Sequence, residues 1–250
     1  MIILKSPQEV ELMRQASKIV AETLQKLEKA IKPGITTAQL DVLANNNIKK
    51  YDAYPAFLGY SGFPASICTS INEEVVHGIP SLRKLKKGDI ISIDVGVCYK
   101  GYYGDSAATF PVGEISPLAE GLIQVTRETF YEGMKHAFAG NYLYDISSAI
   151  QQYAESRGFS VVRNFVGHGI GSQMHEDPQV PNYGTPGKGP LLEEGMVIAV
   201  EPMVNAGTWE VETLEDNWTV VTKDRSLSAH YEHTVAITNN GPDILTLNSD

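Results

Sequence analysis

The periodicity of apolar side chains along the chain divides it into two stretches of similar outline. Val10, Met13, Val20, Leu24, Leu27 and Ile31 recur at three- and four-residue steps or their sums, the spacing of one helical face. Ser6, Pro7 and Glu9 supply an N-cap, a first-turn proline and a capping-box acid ahead of them, and "KPG" at 32–34 stops the helix. "TTAQ" at 36–39 repeats the capping pattern and predicts a second helix to about Tyr51. Residues 52–65, rich in aromatic residues, Gly and Pro, read as an irregular loop leading into a short strand, "SICTSI".

"IISIDVGVCYKGYYGDSAATF", residues 90–110, predicts a β-hairpin. Two more helices follow, at about 117–139, ended by Gly140, and about 146–157, ended by Gly158. The pattern then becomes mostly strands: "GMVIAVEPMV", "WEVETL", "NWTVVTK" and "AHYEHTVAIT". Each stretch therefore holds helices followed by antiparallel strands, and the fold class is α+β, helices backing a curved antiparallel sheet in one domain over 1–250.

Within the hairpin, alternation sends Ile91, Ile93, Val95 and Val97 to one face and Ser92, Asp94 and Gly96 to the other. A two-residue turn at Tyr99 and Lys100 sets Asp94 opposite Asp105, whereas a three-residue turn closing at Gly101 shifts the pairing by one. Opposed like charges destabilise a sheet. Something positive must compensate them, either an Arg or Lys or a metal ion. Glu201 and Glu232 interrupt apolar strands in the same way, and glycines on both sides of His168 let the backbone approach closely while the imidazole projects. Asp94, Asp105, His168, Glu201 and Glu232 together are an oxygen-rich set with one imidazole, whose four carboxylates balance two divalent cations. Such a set suits Mn²⁺, Fe²⁺, Co²⁺ or Zn²⁺.

Charge and composition narrow the rest. Thirty acidic against twenty basic residues, net −10, leave no clustered basic surface for nucleic acid, and "RKLKKGD" reads as a solvated turn. Cys68 and Cys98 form no CxxC pair, so no disulfide framework is expected and reduced thiols fit the cytoplasm. No stretch has the roughly 20 apolar residues of a membrane span.

"NEEVVHGIP", "DVGVCYKGYYGDSAATF", "GHGIG", "MVIAVEPMV" and "SAHYEHTVAIT" stand in the order and near the spacing of the type I methionine aminopeptidases, which the chain resembles from end to end. That resemblance implies the pita-bread fold of pseudo-twofold halves. It also implies two divalent ions (Co, Mn, Fe or Zn) held by Asp94, Asp105, His168, Glu201 and Glu232, with Asp105 and Glu232 bridging. The implied activity is removal of the initiator methionine when the second residue is small, through attack by a metal-activated water. By the same resemblance Glu201 accepts the proton, and His77 and His175 hold the substrate and stabilise the oxyanion. Tyr60, Phe63, Cys68 and Trp218 match the methionine pocket. Nascent polypeptides are the implied partners, at the ribosome, for a cytoplasmic monomer.

Three positions depart from common choices of that family: Met174 for Phe, Phe57 for Cys and His230 for Gln. His233 faces away from Glu232 on its strand and reads as structural. Two rival readings remain, a proline-specific peptidase sharing the metal set and a binding module that has lost hydrolysis.

Overall fold

The computed structural model describes residues 1–247. Helix α1 (Pro7–Ala30) opens with the predicted capping box: the Ser6 N–H donates to Glu9 Oε2 at 2.8 Å. Helix α2 (Thr37–Lys49) is capped in the same way by Thr36 and Gln39. Both lie on one face of a sheet whose centre is a hairpin, β2 (Ile90–Tyr99) and β3 (Tyr102–Pro111), with β1 (Cys68–Ile71) on the other side of β2. Ile91, Ile93, Val95 and Val97 are fully buried against Val20, Leu24, Leu27, Leu40 and Ile48. The opposite face, carrying Ser92, Asp94 and Gly96, is left free to build a site.

The hairpin register corrects one expectation. Lys100 (φ 49°) and Gly101 (φ 83°) form the turn, so Tyr99 pairs with Tyr102, Asp94 with Ala107 and Asp105 with Gly96. The two aspartates are diagonal neighbours instead of an opposed pair. A primed two-residue turn needs positive φ at both centres, which Gly101 takes at no steric cost and Tyr99 would resist. Because the displacement is two residues, both carboxylates keep the same face.

The second half repeats the layout. Helices α3 (Pro117–Met134) and α4 (Leu143–Ser156) pack on a five-stranded antiparallel sheet that includes β4 (Gly167–Gly169), β5 (Val197–Val200) and β8 (His233–Thr238). Leu122, Phe130, Ile146 and Ile150 meet Ile198, Val200, Val235 and Ile237 in its core. Helix α3 ends five residues earlier than the periodicity suggests, and α4 begins three earlier, its Tyr142 N–H donating to Asp145.

Two long predicted strands are each broken where the candidate acids sit. The 195–204 stretch divides into β5 and β6 (Met203–Asn205) around Glu201 and Pro202, and the 229–238 stretch divides into β7 (Ser228–His230) and β8 around Tyr231 and Glu232. Proline cannot extend a ladder, which accounts for the first break.

A seam joins the halves. The backbone of Asp105 hydrogen-bonds Thr234 Oγ1 (2.9 and 2.8 Å), Ala107 pairs with Glu232, and Thr109 Oγ1 binds the backbone of His230 (2.9 Å each way). Asp105, Ala107 and Thr109 of β3 are thus tied to Thr234, Glu232 and His230 in turn. Thr234→Val, isosteric but without the hydroxyl, strands the buried Asp105 N–H and C=O. Urea unfolding should show a loss of about 1–3 kcal/mol.

Candidate metal and peptide-binding cleft

The four acids and one histidine singled out by sequence meet in one cleft. Asp105 and Glu232 arrive from the two sides of the seam, Asp94 from the neighbouring strand, Glu201 from the break after β5 and His168 from β4. A Cβ at Gly167 would lie 2.3 Å from Ala199 O and one at Gly169 2.1 Å from Asp177 O, so only glycines let β4 sit this deep. His168 Nε2 stands 3.8 Å from Asp105 Oδ2 and 3.8 Å from Glu201 Oε1, with its Nδ1 2.9 Å from Gly169 O.

No Lys or Arg reaches these acids; among the described residues their only ion-pair neighbours are histidines. Asp94 Oδ1, Asp105 Oδ1 and Glu232 Oε1 are buried without a hydrogen-bond partner among the described residues. Buried polar atoms are normally satisfied. Two sets, Asp94–His230–Glu232 and Asp105–His168–Glu232, bring their donor atoms within 4.8 Å of one another. Orphaned oxygens, a carboxylate-rich donor set and the absence of a basic partner fit divalent cations, and they remove the Arg or Lys alternative.

The electrostatics agree. Burial pushes the Asp94 carboxyl up to about 7. Burial and then repulsion from Asp94 and Glu201 raise Asp105 well above the carboxylate range; burial and then Asp94 do so for Glu201, and burial with Asp105, Glu201 and Asp94 for Glu232. Burial lowers His168 and His230 to about 3 each and His77 to about 4, leaving them neutral at pH 7.

The remaining candidates line the same cleft, a cavity of about 180 Å³ shared by Tyr60, Phe63, Cys68, His77, His175 and Trp218. Phe63 and Trp218 meet edge to face with ring centroids 5.1 Å apart. Cys68 pairs with Asp94 across β1 and β2, and burial followed by that charge pushes its thiol well up, which rules out a thiolate nucleophile at neutral pH. His175 is exposed, its Nδ1 2.7 Å from the Tyr60 hydroxyl, and its ring lies 4.1 Å from that of His168. His77 adopts φ 60°, a left-handed conformation that costs about 1–3 kcal/mol for a non-glycine residue and is often found at functional sites.

Phe57 lines the cleft, and both Phe57 and Met174 crowd Gly96, where a Cβ would meet their side chains at 2.8 and 3.0 Å. His233 is held away from the acids by Thr246 Oγ1 (2.7 Å) and the Tyr231 hydroxyl (2.9 Å). Sequence reasoning missed the Lys5–Glu176 ion pair, 2.6 Å and buried, which ties the start of the chain to the segment carrying His175. Lys5 sits in a short apolar run, and only that placement hinted at burial.

Comparison with known proteins now decides the lineage. Residues 11–239 match metallopeptidase family M24. The methionine aminopeptidase of Clostridium acetobutylicum is 64% identical over 248 residues, covering 99% of both chains. The chain belongs to the methionine aminopeptidases of family M24. A solved methionine aminopeptidase from Thermotoga maritima superposes with a TM-score of 0.98 at 49% identity, covering 99% of this chain and 100% of that one. A prolidase from Pyrococcus horikoshii shares the pita-bread fold alone, with a TM-score of 0.79 and 22% identity; this chain, matched over its full length, covers 65% of that one.

The raised carboxyls set a pH dependence. A group that holds its proton more tightly when folded stabilises the fold fully below its unfolded pKa, and that stability is lost as the pH rises through the folded one. The buried histidines act in the opposite sense, but with an ordinary value of 6.5 they are largely neutral in both states above about pH 7. From pH 7 to 8 the melting temperature of chelator-treated protein should therefore fall, and saturating Mn²⁺ should flatten the slope. A rise without metal would contradict the cluster's burial.

Proposed function

We propose that this cleft removes the N-terminal methionine from peptides and nascent proteins whose second residue is small. Asp94, Asp105, His168, Glu201 and Glu232 would hold two divalent ions, which when bound supply the positive charge that acidifies a water and polarises the scissile carbonyl. The observation that carries the reading is the convergence of four carboxyls, three of them with a buried oxygen that has no partner among the described residues, on a cavity the size of one side chain, in a chain 64% identical to a methionine aminopeptidase.

The chain's own groups account for the other steps. Phe63, Trp218, Tyr60 and Cys68 receive the methionine side chain, and aromatic edges favour its sulfur. With the Tyr60 hydroxyl, 2.7 Å away, as donor to His175 Nδ1, the neutral ring would carry its proton on Nε2 and donate it to the carbonyl oxygen as that oxygen gains charge. His77 is neutral for the same reason of burial and, from the other side of the cleft, contributes to orienting the first peptide bond. Glu201, whose side chain is 14% exposed toward the cleft, takes the proton of the attacking water and returns it to the leaving amine. A single-residue cavity limits the reaction to the first residue of a chain.

The ions' identity, action on chains at the ribosome, a cytoplasmic location and a monomeric state belong to the same reading, and so does its organisation as one catalytic unit over 1–250. Metal analysis, ribosome co-sedimentation and light scattering test these separately.

Purified protein given Co²⁺ or Mn²⁺ should release methionine from Met-Ala peptides and leave X-Pro peptides intact. No release with either ion, or with Fe²⁺ under anaerobic conditions, would overturn the reading, and cleavage of X-Pro would favour a proline-specific peptidase. Glu201→Gln should lower the rate by roughly 10²–10⁴-fold, and His175→Ala by roughly 10²-fold with little change in melting temperature.

A further inference from the structure

Behind the cleft a further imidazole, outside the five-residue set, stands against its acids. His230 ends β7 at 2% exposure, its backbone clamped on both sides by Thr109 Oγ1 at the seam. The backbone that carries the ring is therefore held in place. Its Nε2 is buried without a hydrogen-bond partner among the described residues, and it stands 3.7 Å from Glu201 Oε2 and 3.8 Å from Glu232 Oε2. Those separations are too long for hydrogen bonds.

They match the separations around His168, whose Nε2 lies 3.8 Å from Asp105 and 3.8 Å from Glu201. Two donor atoms that share one first-row cation, each about 2.0–2.2 Å from it, stand about 3–4 Å apart. By that measure the two imidazoles are equivalent. Nor do they serve the same trio: one groups with Asp105 and Glu232, the other with Asp94 and Glu232.

We infer that His230 Nε2 is a metal ligand, completing with Asp94 and Glu232 a site distinct from that of His168. The inference rests on the proposed dinuclear centre and deepens it: each ion receives one imidazole, and neither site is built of oxygen alone. All-oxygen sites suit Mg²⁺ and Mn²⁺, whereas an imidazole raises the preference for Fe²⁺, Co²⁺ or Zn²⁺. His230 thus makes the second site a nitrogen-bearing one.

The test is proton NMR of the Co²⁺-loaded full-length protein, in which each coordinated imidazole contributes a hyperfine-shifted, solvent-exchangeable N–H resonance. Two such resonances are expected, with His168→Gln and His230→Gln each removing a different one. Calorimetric titration with Zn²⁺ should show one of two sites weakened roughly 10–100-fold in His230→Gln, the scale of losing a group that supports a metal. A single resonance that His230→Gln retains would overturn the inference while leaving the metal centre intact. Failure of the wild-type protein to bind Co²⁺ would sink both together. The wild-type spectrum decides the imidazole count even if a variant does not fold.

Discussion

The constraint on which the structure turns is the repulsion among four acids buried within reach of one another. Each carboxylate oxygen left without a partner costs desolvation energy, and the nearby histidines, neutral at pH 7, offer no compensating charge. Protonation answers that cost in the metal-free chain, as the upward shifts of Asp94, Asp105, Glu201 and Glu232 show. Divalent cations answer it in a way that leaves the acids ionised. Groups buried in this way destabilise the fold whenever their charge is left uncompensated.

Backbone rigidity makes the deficit sustainable. Helices α1 and α2 press one face of the hairpin into a fully buried layer, and α3 and α4 do the same for the second sheet. The acids occupy the reverse faces or the breaks between strands, where they do not compete with the cores. Glycines at 167 and 169 allow the closest approach, carrying an imidazole into the cleft on backbone no larger residue could follow.

Much of this was legible in the sequence because each signal had a local physical cause. Capping boxes located the first two helices to within a residue or two. Period-two alternation assigned Ile91, Ile93, Val95 and Val97 to the core, acids in apolar strands pointed to four candidate ligands and flanking glycines to the fifth, His168, and the cleft brings all five together. The hairpin register was not legible from apolar alternation, because pairings displaced by two residues keep the same faces; only the preference of Gly101 over Tyr99 for positive φ distinguishes them. Pro202 marks the interruption beside Glu201, but nothing in the pattern reveals the one at Glu232, since the residues on either side keep a strand-like alternation. The proximity of His230 to the acids depends on the seam, a long-range contact with no counterpart in local sequence.

The seam has a further consequence. Asp94 and Asp105 belong to the first half of the chain, and His168, Glu201 and Glu232 to the second. Neither half alone assembles the donor set, so in the proposed metal centre ion binding would be coupled to the docking of the halves. A cation held there would act as a rivet between the two lobes.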